Sequence, residues 1–279
     1  MKKISNKMIE NFKEYLIDEE KSLSTLEKYI RDIRAFTKWC SNAEINKSVV
    51  LKYKQHLIEN YAPASANSVI SSLNSFFTFN EWYDCKVKTL KIQKQIFAER
   101  SKELTKSEYE RLLNAAKNKK NERLYYLMQT ICACGIRVSE LSFITIEAVR
   151  ARKATISCKG KMRIVILPKE LCKMLTEYAK EQKITSGSVF ITKSGKPLDR
   201  STIWKMMKSL CKSAGVAKEK VFPHNLRHLF ARTYYSIQKD IARLADILGH
   251  SNINTTRIYT METGDVHRRQ IQQLGLLRQ

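Results

Sequence analysis

Glycine and proline are scarce in this chain, with 8 and 4 among its 279 residues. That scarcity excludes collagen-like and low-complexity sequences, which contain many of both. No apolar run approaches the roughly 20 residues that a membrane-spanning helix requires. No apolar segment follows the basic start of the chain, as it would in a secretory signal. We therefore expect a globular protein that acts in the cytoplasm and spans no membrane.

Paired cysteine motifs are also missing. The 7 cysteines are scattered, their number is odd, and the sequence contains no CxxC pair. Disulfide frameworks and zinc ribbons need regular pairs, so both are disfavoured and reduced thiols in a cytoplasm are expected. The sequence predicts neither a bound metal nor a cofactor.

Acidic residues are outnumbered, because 27 Asp and Glu face 51 Lys and Arg, which gives a net charge of +24. Residues 1–100 hold 17 basic and 12 acidic residues, whereas residues 101–279 hold 34 and 15. A large positive field attracts polyanions and releases their counterions on binding. Nucleic acid is the first candidate partner and an anionic membrane surface the second. A generally basic protein without such a partner is the plain alternative.

Helical periodicity dominates the first part of the chain. The second of its helices is predicted to begin at Ser24, where Glu27 would complete a capping box. The charged, poorly periodic stretch that follows these helices favours a linker. The four predicted helices span residues 7–19, 24–39, 48–60 and 65–83, and the predicted domains are an all-α module at 1–95, a linker at 96–101 and a second domain at 102–279.

The second domain is predicted to be mainly helical with one small β-hairpin. Thr105 and Glu108 form a capping-box pattern that opens its first helix. Two β-rich runs surround a Lys-Gly-Lys turn, which is the signal of a hairpin. The predicted strands are 154–158 and 163–167, with a further short strand at 189–192.

Four short motifs in the second domain carry reactive side chains. In chain order they are GIRVSEL at 135–141, KGK at 159–161, HNLRH at 224–228, and LGH at 248–250 with a tyrosine nine residues later. The side chains of interest are Arg137, Glu140, Lys159, His224, Arg227, His228, His250 and Tyr259. No single member is decisive, but their joint order and spacing are improbable by accident.

These residue types match what phosphodiester cleavage without a metal requires. The guanidiniums of Arg137 and Arg227 stay protonated and can clamp the oxygens of a pentavalent transition state. Tyr259 can form a covalent ester, although the ordinary tyrosine pKa of about 10 demands activation. Lys159, on the hairpin tip, can protonate the leaving 5′ oxygen. The set therefore predicts an enzyme that attacks a phosphodiester.

Each of these residues also has a plain interpretation. Arg137 and Glu140 are spaced as an ordinary ion pair on a helix surface, and a charged turn at 159–161 is a common surface feature. His224 and His228 have the i, i+4 spacing of metal ligands. The HExxH pattern of metalloproteases fails here, because an asparagine stands where the glutamate should be.

Together the motifs resemble those of the tyrosine recombinase, or phage integrase, family, above all its short Xer-like members. GIRVSEL is similar to the family's first-arginine box, and CKGKMRIVILP to its catalytic-lysine hairpin. PHNLRH is similar to its H-x-x-R box, and LGHSNINTTRIYT to its terminal histidine-to-tyrosine segment. The resemblance covers most of residues 102–262. The helical N-terminal module is similar to the family's core-binding (SAM-like) domain.

The resemblance implies a role for each of the principal side chains. Arg137 and Arg227 would bind the scissile phosphate. Lys159 would act as the general acid toward the 5′ oxygen, and Tyr259 would form a 3′-phosphotyrosyl bond. That bond conserves the energy of the broken phosphodiester, so ATP would not be needed.

The remaining side chains have supporting or proton-transfer roles in the same comparison. His224 would serve in proton transfer, and His250 would hydrogen-bond the phosphate. Glu140 matches an acidic position that orients the basic residues of the site. His228, directly after the H-x-x-R box, is expected to support the structure rather than the chemistry.

The family fold implies a two-domain, C-shaped clamp that encloses double-stranded DNA. Four protomers would act on two duplexes, either as a homotetramer or with a paired recombinase. The last residues, 261–279, contain Val266, Ile271, Leu274 and Leu277 at amphipathic spacing. In the family such a tail docks on a neighbouring protomer, and packing on its own chain is the alternative.

Several alternatives stay open at this point. As a recombinase, the protein would either resolve chromosome or plasmid dimers or integrate and excise a mobile element. A DNA-binding protein with a degenerate recombinase fold would keep the charge but lack the chemistry. A metal-dependent nuclease would use His224 and His228, although no acidic cluster at ligand spacing accompanies them.

Overall fold

The computed structural model divides the chain into two compact units, Met1–Lys94 and Gln95–Gln279. Each unit has its own hydrophobic core. The structure describes residues 2–41, 43–92, 100–158, 161–192, 194–261, 268–269 and 271–274, without the side chains of residues 100, 158 and 161. Most of the predicted linker and most of the predicted amphipathic tail lie outside these residues. In the described part, the fold is mainly helical with one small antiparallel sheet, as predicted.

The first unit contains the four predicted helices. They are α1 (Asn6–Asp18), α2 (Leu23–Trp39), α3 (Lys47–Asn60) and α4 (Pro63–Phe79), followed by a 3₁₀ turn at Tyr83–Cys85. The capping box predicted at Ser24 is wrong, because α2 begins at Leu23 with Ser22 at its N-cap. The Ser22 hydroxyl is engaged by the hydroxyls of Ser24 and Thr25, at 3.1 and 2.9 Å, and caps no backbone N–H.

Aromatic side chains fill the core of the first unit. Phe12 of α1 meets Phe76 of α4 edge to face, with ring centroids 5.3 Å apart. Phe36 of α2 contacts Phe77 in the same manner at 6.0 Å. Edge-to-face pairs of this kind add to the stabilisation that apolar burial provides. The helical spacing of these residues in the sequence reflects this shared core.

One buried polar network joins α2 to α4. Asp32 is 5% exposed, and its Oδ2 accepts hydrogen bonds from Lys28 at 2.6 Å and from the Ser72 hydroxyl at 2.8 Å. Lys28 also donates to the backbone oxygen of Ser68 at 3.0 Å. A buried carboxylate is tolerated only when its lone pairs are satisfied in this way. The network therefore fixes how α2 packs on α4.

The second unit surrounds two central helices that pack on each other, α6 and α11. Its elements are α5 (Lys106–Asn118), α6 (Glu122–Cys134), α7 (Ile146–Ala151), β1 (Lys153–Cys158), β2 (Lys161–Ile166), α8 (Lys169–Glu181), α9 (Arg200–Lys208), α10 (Cys211–Ala214), α11 (Pro223–Gln238) and α12 (Ile241–Leu248). Short 3₁₀ turns lie at Arg100–Lys102, Val138–Phe143, Lys218–Lys220, Ile253–Thr255 and Arg257–Tyr259. The capping box predicted at Thr105 and Glu108 is confirmed.

The predicted hairpin is confirmed as an antiparallel pair of strands. Ala154 lies opposite Val165, and Ile156 lies opposite Arg163. These residues share the buried face of the hairpin, since side chains alternate along a strand. The strand predicted at 189–192 is wrong, because the described residues there form only one isolated bridge, from Ile191 to Pro197. Proline has no N–H with which to extend such a ladder.

Gly135 ends α6 where that helix meets α11. Its φ of 61° is left-handed, which favours glycine at a helix C-terminus. A Cβ at this position would lie 2.4 Å from the ring of Phe230 on α11. The close approach brings the end of α6, and the motif that follows it, against α11. No helix among the described residues has the length and apolar character needed to cross a membrane.

The buried network of the first unit can be tested by substitution. We expect Asp32→Ala to lower the free energy of unfolding by about 2–4 kcal/mol, because it strands the Lys28 ammonium and the Ser72 hydroxyl. Urea denaturation of the full chain measures the change. Glu27→Ala, at an exposed position of the same helix, is the control and should change it by less than about 0.5 kcal/mol. Equal effects from the two variants would contradict the assignment.

Candidate active site

The first-arginine motif is held by its own glutamate. Glu140 is 2% exposed and accepts hydrogen bonds from the Arg137 backbone N–H at 2.7 Å and from Arg137 Nη1 at 3.1 Å. Burial acts to raise the pKa of Glu140, but these bonds and the Arg163 guanidinium hold it below its ordinary value. The side chain of Arg137 remains 42% exposed. Glu140 therefore fixes the backbone of Arg137 and one edge of its guanidinium, while the rest of the guanidinium stays accessible to a ligand.

The second arginine is almost completely buried. Arg227, on α11, is 1% exposed and donates to the backbone oxygens of Gly135 at 2.6 Å and Leu248 at 2.8 Å. These acceptors lie at the C-terminal ends of α6 and α12. Burial, followed by the charge of Arg137, lowers the pKa of Arg227 to about 10. The guanidinium therefore remains protonated at neutral pH.

His250 follows Gly249, the C-cap of α12, which has a φ of 65°. Its Nε2 lies 3.0 Å from Nη2 of Arg227, and its Nδ1 lies 2.8 Å from the hydroxyl of buried Thr256. A guanidinium can only donate, so Nε2 must be unprotonated and Nδ1 carries the proton. Loss of hydration and the charge of Arg227 lower the pKa of His250 to about 4. The ring is thus neutral at physiological pH.

Tyr259 lies in the 3₁₀ turn Arg257–Tyr259 and is 5% exposed. Its ring meets the His228 ring edge to face at 4.9 Å and lies nearly parallel to the His250 ring at 6.2 Å. Burial raises the pKa of Tyr259, and the guanidiniums of Arg227 and Arg137 oppose that rise. Tyr259 therefore keeps its phenolic proton in the free protein and must lose that proton to become a nucleophile.

The two histidines of the HNLRH motif lie one helical turn apart on α11. The rings of His224 and His228 are 4.4 Å apart. His224 is exposed on one side, but partial loss of hydration where it packs on its neighbours, with the charges of Arg227 and Arg137, lowers its pKa. Burial lowers the pKa of His228 to about 4, and its Nε2 makes no hydrogen bond. Neutral rings are therefore expected at both positions near pH 7.

The structure gathers side chains from three of the four motifs in one place. Hydrogen bonds, ring contacts or charge interactions connect Arg137, Glu140, His224, Arg227, His228, His250 and Tyr259. Lys159 lies outside the described residues. Among the described residues, no group of three or more His, Cys, Asp or Glu side chains could hold a metal ion.

Two contributors to the cluster were not predicted from the sequence. Thr256 fixes the ring of His250, but a threonine six residues away carries no signal of its own. Arg163 donates to Glu140 Oε2 at 2.6 Å and lies on the buried face of β2. Side chains alternate along a strand, so the sequence places Arg163 on the same buried face as Val165. That signal could have been recognised, because a buried charge needs a partner.

Comparison with known proteins identifies the family of the chain. Residues 102–264 match the Phage integrase family, and residues 9–83 match the phage integrase N-terminal SAM-like domain. The first match covers more than half of the chain. The chain belongs to the phage integrase family of tyrosine recombinases. Members of this family cut and rejoin DNA through a covalent tyrosine intermediate, and the protein is a site-specific tyrosine recombinase.

Relatives of this recombinase match it over nearly its whole length. Tyrosine recombinase XerA of Thermococcus kodakarensis is 32% identical, over 98% of this chain and 96% of its own. Tyrosine recombinase XerD of Proteus mirabilis is 29% identical, over 91% and 88%. A crystal structure of a lambda integrase (75-356) dimer bound to a COC′ core site superimposes with a TM-score of 0.76 at 18% identity, over 94% and 97%. That last likeness shows the fold.

The lowered pKa values of His228 and His250 make the stability of the recombinase depend on pH. Each has an ordinary pKa of 6.5 and a folded value of about 4. Between these values the unfolded chain binds protons that the folded chain does not, so stability is complete above pH 6.5 and is lost as the pH falls toward 4.

We expect the free energy of unfolding to fall between pH 7 and pH 5, by at most about 1.4 kcal/mol per pH unit for each histidine, and the unfolding temperature to fall with it. His228→Gln removes one titrating ring and should flatten the dependence. Differential scanning calorimetry of both proteins across this range measures it. A variant with the same pH slope as the parent would show that His228 is not held neutral.

Proposed function

We propose that Tyr259 is the nucleophile of this recombinase. Its phenolic oxygen would form a bond to the scissile phosphorus while the bond from phosphorus to the 5′ oxygen breaks. The phenol proton would leave to a base, and the 5′ oxygen would leave as a hydroxyl after gaining a proton. Attack by a 5′ hydroxyl of another strand reverses the step and rejoins the DNA. The observation that supports this role is the packing of Tyr259 among His228, His250 and Arg227.

The phosphate would be held by Arg137, Arg227 and His250. Arg137 has the accessible guanidinium, whereas Arg227 is committed to two backbone oxygens and supplies a fixed positive charge beside them. Preorganised charge of this kind stabilises the oxygens of a pentavalent transition state. Arginine suits the task because it presents several donors in a fixed plane.

His250 would have to change tautomer in order to donate to the phosphate. In the free protein its Nε2 accepts from Arg227 and its Nδ1 donates to Thr256. A hydroxyl can accept or donate, so rotation of the Thr256 hydroxyl lets Nδ1 become the acceptor. Nε2 then carries the proton and can donate to a phosphate oxygen that takes its place beside Arg227. Thr256 thus supports either state of the ring.

Proton transfer would be divided between two groups. His224 is exposed and its pKa is lowered, so its neutral ring is able to accept a proton at physiological pH. Lys159 would donate the proton to the 5′ oxygen, an assignment that rests on the resemblance of its hairpin to the family motif. Glu140 would orient Arg137, and His228 would pack against the nucleophile.

The substrate would be double-stranded DNA, to which residues 1–95 contribute as a core-binding domain and residues 102–279 as the catalytic domain. The net charge of +24 supports a polyanionic partner. The matched lambda integrase structure is a dimer on a DNA core site. By analogy, we infer that protomers of this chain assemble on DNA, with four at a synapse of two duplexes. The cytoplasm, where chromosomal DNA and reduced thiols occur together, is the proposed location.

The biological role that we propose is Xer-like recombination at a fixed chromosomal or plasmid site, which resolves dimers. It is supported by XerA and XerD relatives that match nearly the whole chain. Integration and excision of a mobile element is the competing role. Sequencing the DNA fragments that become joined to Tyr259 in cells would distinguish the two, since one site per replicon supports the first and the ends of an element support the second.

Tyr259→Phe tests the assignment of the nucleophile. A nicked target duplex, on which cleavage releases a short strand and traps the adduct, is incubated with the protein. We expect the variant to lose adduct by a factor on the order of 10³ or more, because it has no nucleophilic oxygen. Gel-shift affinity for the same duplex should stay within about twofold. Denaturing electrophoresis measures the adduct.

Tyr234→Phe is the matched control, since this tyrosine lies on α11 and packs near the same small cluster as Tyr259. It should form adduct at the parent rate. A normal adduct yield from Tyr259→Phe would disprove the assignment. A parent protein that binds the duplex and never forms an adduct would instead support a non-catalytic DNA-binding protein.

A further inference from the structure

Arg163 connects two parts of the site that are distant in sequence. Its Nη2 donates to Glu140 Oε2 at 2.6 Å, and its Nη1 donates to the backbone oxygen of Ile247 in the last turn of α12. The side chain is only 14% exposed. One guanidinium therefore links the turn that carries Arg137 to the helix end that precedes His250.

The chain leaves space for this side chain at Gly249. A Cβ on Gly249 would lie 2.4 Å from Cδ and 2.9 Å from Nε of Arg163. The glycine also adopts a φ of 65°, a backbone conformation that residues with a side chain rarely adopt. Gly249, directly before His250, must therefore be a glycine for two independent reasons. One is its positive φ, and the other is the space that the Arg163 side chain occupies beside it.

We propose that Arg163 is a positioning residue that holds Arg137 and His250 in the relative placement needed for cleavage. The inference rests on the proposed function of Tyr259, Arg137 and His250. Arg163 shares the Glu140 carboxylate with Arg137 and so fixes the carboxylate against which Arg137 is aligned. It also holds the Ile247 carbonyl, next to the Leu248 carbonyl that accepts from Arg227.

The geometry requires arginine rather than any cation. The two acceptors of Arg163 are the Glu140 carboxylate and the Ile247 backbone oxygen, which lie on different elements. Nη2 donates to the first and Nη1 donates to the second. A guanidinium presents these nitrogens in a rigid plane, whereas an ammonium is a single point of charge. Arg163→Lys should therefore keep the charge and lose part of the alignment.

The first test separates binding from cleavage in Arg163→Gln and Arg163→Lys. With protein in excess over the nicked duplex, we expect the single-turnover rate of adduct formation to fall about 10- to 100-fold for the glutamine variant, because small misplacements of reacting groups cost that much. The lysine variant should fall between the glutamine variant and the parent. The Kd for the duplex should change by less than about threefold in both.

Arg150→Gln is the matched control, because Arg150 lies exposed on α7 and the substitution removes the same charge. It should keep the parent rate of adduct formation. If Arg163→Gln fails to fold, as judged by its unfolding temperature, Arg163→Lys still provides the test.

A substrate with sulfur in place of the bridging 5′ oxygen shows which part of the reaction Arg163 serves. A thiolate leaves without a proton, so this substrate does not need a general acid. If Arg163 acts on the phosphate-binding side chains, the rate lost in Arg163→Gln stays lost with the sulfur substrate. A merely structural role would lower affinity and rate together on both substrates.

Three outcomes would overturn the inference: a parent-like rate in Arg163→Gln, a loss of affinity as large as the loss of rate, or full recovery with the sulfur substrate. Failure of the proposed function has a different signature, in which the parent protein forms no adduct through Tyr259. The two failures are therefore distinguishable in one set of assays.

Discussion

The burial of one guanidinium determines how the rest of the site is built. Arg227 lies at the meeting point of two helix ends, and the backbone oxygens of Gly135 and Leu248 accept its hydrogen bonds. Helix C-termini carry partial negative charge, so they offset part of the cost of burying a cation. Because these acceptors are neutral dipoles rather than carboxylates, they do not neutralise the positive charge of Arg227. That charge can still attract an anion.

The neighbouring groups adapt to that charge. The pKa of His250, His224 and His228 is lowered first by loss of hydration and then by cationic or imidazole neighbours. Glu140, the buried carboxylate of the cluster, is shared by Arg137 and Arg163. The result is a cluster of neutral rings and positive guanidiniums, whose charge is complementary to that of a phosphodiester.

The sequence predicted those parts of the fold and site whose signal is local. Helical periodicity located α1 to α4, and the Thr105 capping box and the hairpin were found from short patterns. The reactive side chains could be named because their motifs are short and ordered. Their roles stay proposals, because spacing along the chain does not establish in-line geometry.

The parts that were missed depend on contacts between distant segments. Arg163 finds Glu140 and Ile247 only after the hairpin has packed against α12, and Thr256 finds His250 only after the last turns have folded. The wrong cap at Ser24 reflects a competition among three neighbouring hydroxyls that spacing rules do not resolve. Sequence patterns therefore do not predict the hydrogen bonds that form only when distant segments pack together.

The two glycine-terminated helix ends have a consequence for the newly made chain. Gly135 is closed in by a ring of α11 and Gly249 by the side chain of an arginine from β2, so each helix end packs against an element that is remote in sequence. A polypeptide that ends before α12 would lack the Leu248 backbone oxygen, which is one of the two backbone acceptors of Arg227. Under the proposed function, such a fragment would also lack His250 and Tyr259 and could not break a DNA strand.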